Sequence, residues 1–184
     1  MIYDLPESVV IRGEVFPINS DFRCILDIIE TMNDKALTKQ ERWDFALSFF
    51  YGGIDKIPQD MAQEAAEKLC WFLRGGEPER EKPIPALMSW GKDFPLIIGP
   101  VNKALGMEAR EQKHLHWWTF LGAYMSLGEC LFSQIVSIRK KQAEHKKLDK
   151  WEQKFVKENP ELVALTEGPK YTPAEEAFFN RFAR

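Results

Sequence analysis

The sequence has few of the residues, and none of the motifs, on which common catalytic and metal sites depend. It contains three cysteines and three histidines among 184 residues. Cys24, Cys70 and Cys130 are far apart and each lies among apolar residues, which indicates buried reduced thiols rather than disulfides or a zinc site. The sequence contains no HExxH, CxxC, GxSxG or glycine-rich phosphate-binding motif. It therefore predicts no metal, no cofactor and no enzymatic activity.

Long apolar runs and a strong basic charge are also missing. The most apolar stretch, residues 115–136, is interrupted by Glu129 and by glycines, which makes it a poor membrane span. The N-terminus lacks a basic segment followed by an apolar run, so no signal peptide is expected. The formal net charge of −3 gives no global field that would attract nucleic acid. These features favour a cytosolic protein that contacts neither a membrane nor nucleic acid.

Hydropathy patterning predicts a short hairpin followed by helices. Hydrophobic residues make up 45% of the chain, which is enough to form a core. The runs SVVI and EVFPI, joined by Arg12-Gly13, predict a β-hairpin. Helical periodicity follows, with cap candidates at 19–21, a capping box at Thr38–Glu41 and a stop at Gly52-Gly53. The predicted fold is mainly α: a single helical domain with a short N-terminal β-hairpin and a C-terminal helical extension.

Proline, glycine and charge mark the predicted boundaries. Residues 75–86, GGEPEREKPIPA, predict a linker-like loop. Asp93-Phe94-Pro95 predicts a helix start, and Pro100 predicts a kink or an end of that helix. We expect residues 1–158 to form the helical core domain and residues 159–184 to form an extension with a short amphipathic helix.

The stretch HLHWWTF, residues 114–120, is the first candidate for a site. On a helix, residues two apart point about 200° apart, so His114 and His116 would not share one metal ion there, whereas on a strand they could. We expect histidines at a helix entry, one exposed and one packing or capping. A helix from about Glu111 is predicted to be the most buried element, with one row of apolar residues and three core anchors. The row is Leu115, Trp118, Leu121 and Met125, and the anchors are Trp117, Trp118 and Phe120.

The composition changes after Ile138. Residues 139–157 contain eight Lys/Arg and three Asp/Glu, and Trp151 and Phe155 remain at helical spacing. One helix is predicted over this stretch. Its lysines leave open an alternative function in nucleic-acid binding or regulation. The interspersed acidic residues make a solvated helix face the simpler interpretation.

Aromatic residues near the C-terminus predict protein binding. Trp151 and Phe155 could contact a partner helix or another copy of the chain. Phe178, Phe179 and Phe182 follow a Gly-Pro break and form an apolar patch at the very end. Such a segment can dock into a groove of a partner or fold back onto its own core, and both alternatives remain.

Several blocks resemble the gene product fifteen family of tailed phages and prophages of Gram-positive bacteria. The block at 116–120 resembles the HWW-x-F pattern of that family, and Ile135–Arg139 resembles its I-x-x-(I/Y)-R pattern. Residues 93–98 and 105–107 resemble its DFP-x-I-x-x-x-F and Y-G-I-D-L block, although this chain has Met107-Glu108-Ala109 in place of the usual Ile-Asp-Leu. Tyr51-Gly52 and Ile57-Pro58 resemble its first-half pattern, so the resemblance covers about residues 1–155.

The resemblance implies a tail assembly chaperone. Members of that family lie in tail modules between the major tail protein and the tape measure protein. The expected function is to bind the tape measure protein, keep it soluble and leave as the tail tube polymerises. The expected partners are the tape measure protein and further copies of this chain, without nucleic acid or membrane. The expected location is the cytoplasm of the host bacterium, outside the mature virion.

Overall fold

The computed structural model describes residues 4–78 and 86–165. Within these residues the chain is mainly helical, with a two-stranded antiparallel hairpin at the N-terminus, as the sequence predicts. The chain divides into two compact units, residues 1–134 and 135–184. The predicted domain boundary at residue 158 falls inside the second unit.

The hairpin turns on two residues with positive φ. Its strands are β1 (Ser8–Ile11) and β2 (Glu14–Pro17). Arg12 has φ 49° and Gly13 has φ 86°, the signs that a two-residue turn of the I′ type requires. The Arg12 guanidinium also donates to Glu64 Oε1 at 2.6 Å and to Asp60 Oδ2 at 2.8 Å, so the turn is tied to the helix that carries Glu64.

Eight α-helices lie within the described residues. They are α1 (Phe22–Asn33), α2 (Lys39–Tyr51), α3 (Ala62–Leu73), α4 (Trp90–Leu105), α5 (Trp117–Met125), α6 (Leu131–Ala143), α7 (Lys150–Glu158) and α8 (Pro160–Val163). The predicted caps of the first two are confirmed: Asp21 accepts from the amide of Arg23, and Thr38 forms a capping box with Glu41. Gly52 ends α2 in the left-handed conformation, with φ 75°.

The predicted start of α4 is wrong. The helix begins at Trp90 rather than at Asp93, because Ser89 is the cap and its Oγ accepts from Lys92 N at 3.4 Å. The Asp93 carboxylate instead reaches back and accepts from Ser89 N at 3.0 Å. Pro100 does not end the helix, which continues to Leu105. Burial of its apolar face against α1 and α5 outweighs the lost backbone hydrogen bond. That face carries Ile97, Ile98 and Val101.

The single helix predicted over 139–157 is also wrong. Helix α6 ends at Ala143, and His145 has φ 54°. Helix α7 begins at Lys150, after Asp149 and Glu152 form a second capping box. The sequence interpretation treated these two residues only as acidic residues among lysines, but together they start a helix.

The cysteines are free but only half-buried, so the prediction of full burial is wrong. Cys24 Sγ donates to the carbonyl of Phe49 at 3.5 Å and thereby contacts α2. Burial, together with nearby Asp27 and Asp21, raises the pKa of the Cys24 thiol to about 11. The thiol is consequently protonated at neutral pH and is a poor nucleophile.

The part of α6 that lies in the second unit binds the two helices that follow it through hydrogen bonds and an ion pair. Arg139 is buried and donates to the carbonyl of Val163 at 2.9 Å and to that of Leu162 at 2.8 Å. Lys141 Nζ lies 2.6 Å from Glu152 Oε1 of α7. The carbonyls at the end of a helix lack partners within the helix, and the planar guanidinium satisfies two of them at once.

We predict that Arg139→Lys lowers the free energy of unfolding by about 1–3 kcal/mol, because one ammonium cannot reproduce the fork of two donors. Denaturant unfolding, with hydrogen exchange of the amides in α8, measures the change. Lys140→Arg at the exposed neighbouring position is the matched control and should remain within about 0.5 kcal/mol of the wild type. Equal stability of the Arg139→Lys variant and the wild type would contradict the assigned role.

Candidate functional site

The stretch HLHWWTF begins as extended chain rather than as helix. Residues 20–22 run antiparallel to residues 115–117: Phe22 N donates to Leu115 O at 2.9 Å, and Trp117 N donates to Ser20 O at 2.7 Å. The predicted helix start near Glu111 is therefore wrong, since 109–111 form only a single 3₁₀ turn and α5 begins at Trp117. Hydrogen bonds to a segment more than 90 residues away fix the extended conformation.

The two histidines divide as expected, one exposed and one capping. His116 is the N-cap of α5: its Nδ1 accepts from Trp118 N at 3.0 Å, and its Nε2 donates to the carbonyl of Pro6 at 3.0 Å. His114 is exposed, with Nε2 at 3.1 Å from Ser20 Oγ. Both ring nitrogens of His116 are thus engaged in hydrogen bonds. No group of three or more potential metal ligands occurs within the described ranges 4–78 and 86–165.

The cap predicts a pH dependence of stability. Burial lowers the pKa of His116, so below about pH 6.5 the unfolded chain binds more protons at this residue than the folded chain does. The contribution of His116 to stability is complete above pH 6.5 and is lost as the pH falls through its folded pKa. We expect His116→Asn, which keeps a capping oxygen but does not titrate, to lose less stability between pH 7.5 and pH 5.5.

Thermal or urea unfolding at these two pH values, on the wild type and the variant, measures the difference. The carboxylates and the other two histidines are common to both proteins, so their contributions cancel. An identical loss of stability in both proteins would contradict the prediction.

Helix α5 contributes to a cluster of packed rings that we call the aromatic hub. Trp117 and Phe120 are buried, with ring centroids 5.9 Å apart. Phe22 of α1 stacks on Phe120 at 4.5 Å, while Trp90 of α4 contacts Trp117 at 5.7 Å and Tyr124 at 4.7 Å. The hub therefore joins α1 to the distant helices α4 and α5, and it is a packing centre rather than a ligand cage.

Trp118 lies outside the hub and is half-buried. Its Nε1 donates to the carbonyl of Phe72 at 2.9 Å, and its ring stacks on Phe72 at 5.7 Å. Gly76, with φ 86°, allows this placement, since a Cβ there would lie 2.9 Å from the Trp118 ring. The predicted row through Trp118 and Met125 is wrong because Met125 is 73% exposed. The buried row of α5 is instead Trp117, Phe120 and Ala123.

We predict that Trp117→Ala destabilises the protein more than Trp118→Ala does. Emptying a buried aromatic site costs roughly 3–5 kcal/mol, and a half-buried ring leaves a smaller void. Denaturant unfolding followed by far-ultraviolet circular dichroism avoids the change in tryptophan fluorescence. A Trp118→Ala effect equal to or larger than that of Trp117→Ala would show that the hub is not the packing centre.

Exposed aromatic pairs occur on two helices. On α7, Trp151 is 52% exposed and stacks on half-buried Phe155 at 5.2 Å. On α2, Phe45 and Phe49 are 47% and 44% exposed, with ring centroids 6.5 Å apart. The predicted binding residues Phe178, Phe179 and Phe182 lie outside the described residues.

The sequence interpretation missed the pair on α2. The buried face of this helix carries Ala46 and Phe50. Phe45 and Phe49 repeat the same four-residue spacing one position earlier, which places them about 100° around the helix. This second aromatic row was the sequence signal from which an exposed apolar face of α2 could have been predicted.

An open depression between α1 and α4 forms a further candidate surface, which we call the acidic depression. Its lining residues are Leu26, Asp27, Glu30, Trp90, Gly91 and Phe94. Glu30 Oε1 accepts from Gly91 N at 2.9 Å, in the first turn of α4. A Cβ at position 91 would lie 2.6 Å from Glu30 Oε2, so glycine permits this contact. The depression thus combines apolar walls with two carboxylates.

The two units carry opposite charge. Residues 1–134 contain 20 Asp/Glu and 14 Lys/Arg, a formal net charge of −6. Residues 135–184 contain eight Asp/Glu and eleven Lys/Arg, a net charge of +3. The aromatic pair on α2 therefore lies on the unit with negative net charge, and the pair on α7 lies on the unit with positive net charge.

Together these features define a small, mainly helical protein in which the HWW block is structural and the exposed aromatic pairs are the candidate contact surfaces. No helix within the described residues is long and apolar enough to cross a membrane. The family model described as Bacteriophage Gp15 protein matches residues 1–165, and the chain belongs to this family of bacteriophage proteins. No curated protein and no solved structure matches the chain. The family resemblance of the sequence blocks is thereby confirmed.

Proposed function

We propose that this phage protein is a tail assembly chaperone, which binds the tape measure protein and keeps it soluble until the tail tube forms. Membership of the Bacteriophage Gp15 protein family supports a role in a phage. The observation that carries the finer proposal is the exposed Phe45–Phe49 pair on α2. A chaperone for a long amphipathic helix needs such an apolar surface on a firm support.

Helix α2 provides that support. The capping box at Thr38 and Glu41 fixes its start, and left-handed Gly52 fixes its end. The helix packs on α1, and Cys24 donates to the carbonyl of Phe49. The two rings therefore project from a fixed backbone, so an apolar stripe of a partner helix can pack on them without ordering a flexible segment.

Charge favours the α2 pair over the α7 pair for an apolar helix. Phe45 and Phe49 have Glu41 and Arg42 of opposite sign on the same side of α2. Trp151 and Phe155 lie instead in a lysine-rich helix. A neutral apolar stripe gains nothing from that excess of positive charge. Trp151, Phe155 and the terminal phenylalanines stay predicted protein-binding residues.

Release is part of the proposed activity. A two-ring contact is small, so each copy binds weakly and can be displaced when tube subunits polymerise. Several copies on one tape measure protein would supply the avidity that a single contact lacks. In this proposal the chain acts in the cytoplasm of the host bacterium, uses no cofactor, catalyses no reaction and is absent from the finished virion.

The alternative role in nucleic-acid binding gains no support from the lysines. Lys141 pairs with buried Glu152, and Lys146 lies 2.8 Å from Glu144. The helix predicted over 139–157 is divided at 144–149, so its cations do not form one continuous stripe.

We predict that the double variant Phe45→Ser/Phe49→Ser lowers the soluble fraction of the co-expressed tape measure protein several-fold, because the apolar contact is removed. Sedimentation of the lysate and quantification of the tape measure protein in the supernatant measure this effect. The matched control is Val10→Ser/Val15→Ser, which removes exposed apolar surface from the hairpin instead. Circular dichroism checks that both variants fold. Wild-type solubilisation by the Phe45/Phe49 variant would contradict the proposal.

A further inference from the structure

We propose that copies of this chain associate head to tail, with α7 of one copy docked on the acidic depression of the next. The occupant of the depression is thus a second copy, through the exposed surface that carries Trp151. This inference goes beyond the proposed function, because it concerns the chain alone and can be tested without any tape measure protein.

The acidic depression has the chemistry of a receptor for a basic, aromatic element. Leu26, Trp90 and Phe94 supply apolar walls, while Asp27 and Glu30 supply negative charge. Asp27 is exposed, and among the described ion pairs none involves its carboxylate. An apolar concavity with carboxylates at its edge suits side chains that bury an apolar body and keep a cationic end.

Helix α7 has the complementary chemistry. Its Trp151 ring is half-exposed and held in place by stacking on Phe155. Of the two glutamates of α7, Glu152 is buried and paired with Lys141 at 2.6 Å, whereas Glu158 is exposed. Lys154 is 72% exposed and has only a long contact of 3.8 Å with Glu158. The exposed surface of α7 therefore carries an aromatic ring and three lysines against one glutamate, so its net charge is positive.

The opposite charges of the two units favour a second copy as the occupant. A unit of net charge −6 and a segment of net charge +3 occur in the same chain, so every copy brings both halves of the contact. In the proposed head-to-tail arrangement each contact joins two different surfaces, so an open assembly keeps one free acidic depression at one end and one free α7 at the other. Such association extends with concentration, and it weakens with salt because its attraction is partly electrostatic.

Two variants block one surface each. Asp27→Lys replaces one of the two carboxylates by an ammonium, which brings the formal charge of the acidic depression from −2 to zero, and it leaves α7 intact. Trp151→Ser removes the aromatic ring from α7 and leaves the depression intact. Sedimentation velocity on the purified chain at low salt should show a wild-type mass that rises with concentration. Each variant alone should require at least a tenfold higher concentration to associate, equivalent to about 1.4 kcal/mol.

Mixing the two variants is the decisive step. The intact depression of the Trp151→Ser chain accepts the intact α7 of the Asp27→Lys chain, but the remaining two surfaces are both blocked. An equimolar mixture should therefore form 1:1 dimers that do not grow. Asp55→Lys and Met125→Ser are matched controls at exposed positions that neither line the acidic depression nor belong to α7, and they should associate like the wild type.

Three results would overturn the proposal. They are a wild-type chain that stays monomeric at all concentrations, a wild-type dimer that does not grow further, and variants that fail to form the mixed dimer. The proposed function is tested by the solubility of the tape measure protein, and self-association is tested by sedimentation of the purified chain. Either proposal can therefore fail while the other stands.

Discussion

The structure of the first unit depends on the short antiparallel pairing between residues 20–22 and 115–117. Two helix starts meet there: Asp21 caps α1 and also accepts from Leu115 N at 3.1 Å, while His116 caps α5 and donates to Pro6. The backbone bonds of Ser20, Phe22 and their partners fix the distance between the two starts. Capping groups that would otherwise contact water thereby join segments that are distant in sequence.

This pairing determines where the rings of the aromatic hub lie. With the two starts joined, Phe22 at the first position of α1 stacks at 4.5 Å on Phe120, which lies one turn into α5. Trp90 then packs on Trp117 and Phe120, and it also lines the acidic depression. A surface proposed for binding is therefore attached to the packing centre. In the proposed assembly, the HWW block acts by holding α1 and α4, which form the acidic depression, in place, and its own side chains make no contact with a partner.

Structural features that depend on neighbouring residues could be predicted from the sequence, whereas features that depend on contacts with distant residues could not. The turn at Arg12-Gly13 and the capping box at Thr38 depend on residues within a few positions, so their patterns were sufficient. The extended conformation at His114–His116 depends on residues 20–22, and the continuation of α4 through Pro100 depends on burial against other helices. Likewise, periodicity could not tell which of two aromatic rows on α2 is covered, because that depends on where α1 packs.

The two exposed aromatic pairs differ in charge, and this difference separates the two proposed activities. A neutral pair on α2 suits an apolar helix whose charge is not specified, whereas the basic α7 surface suits an acidic acceptor. If one surface served both purposes, each bound tape measure segment would displace a neighbouring copy, and avidity would be lost. With separate surfaces, copies can stay linked while individual contacts with the tape measure protein break. Weak binding of each copy and coverage of a long partner are then compatible, as a chaperone that must release requires.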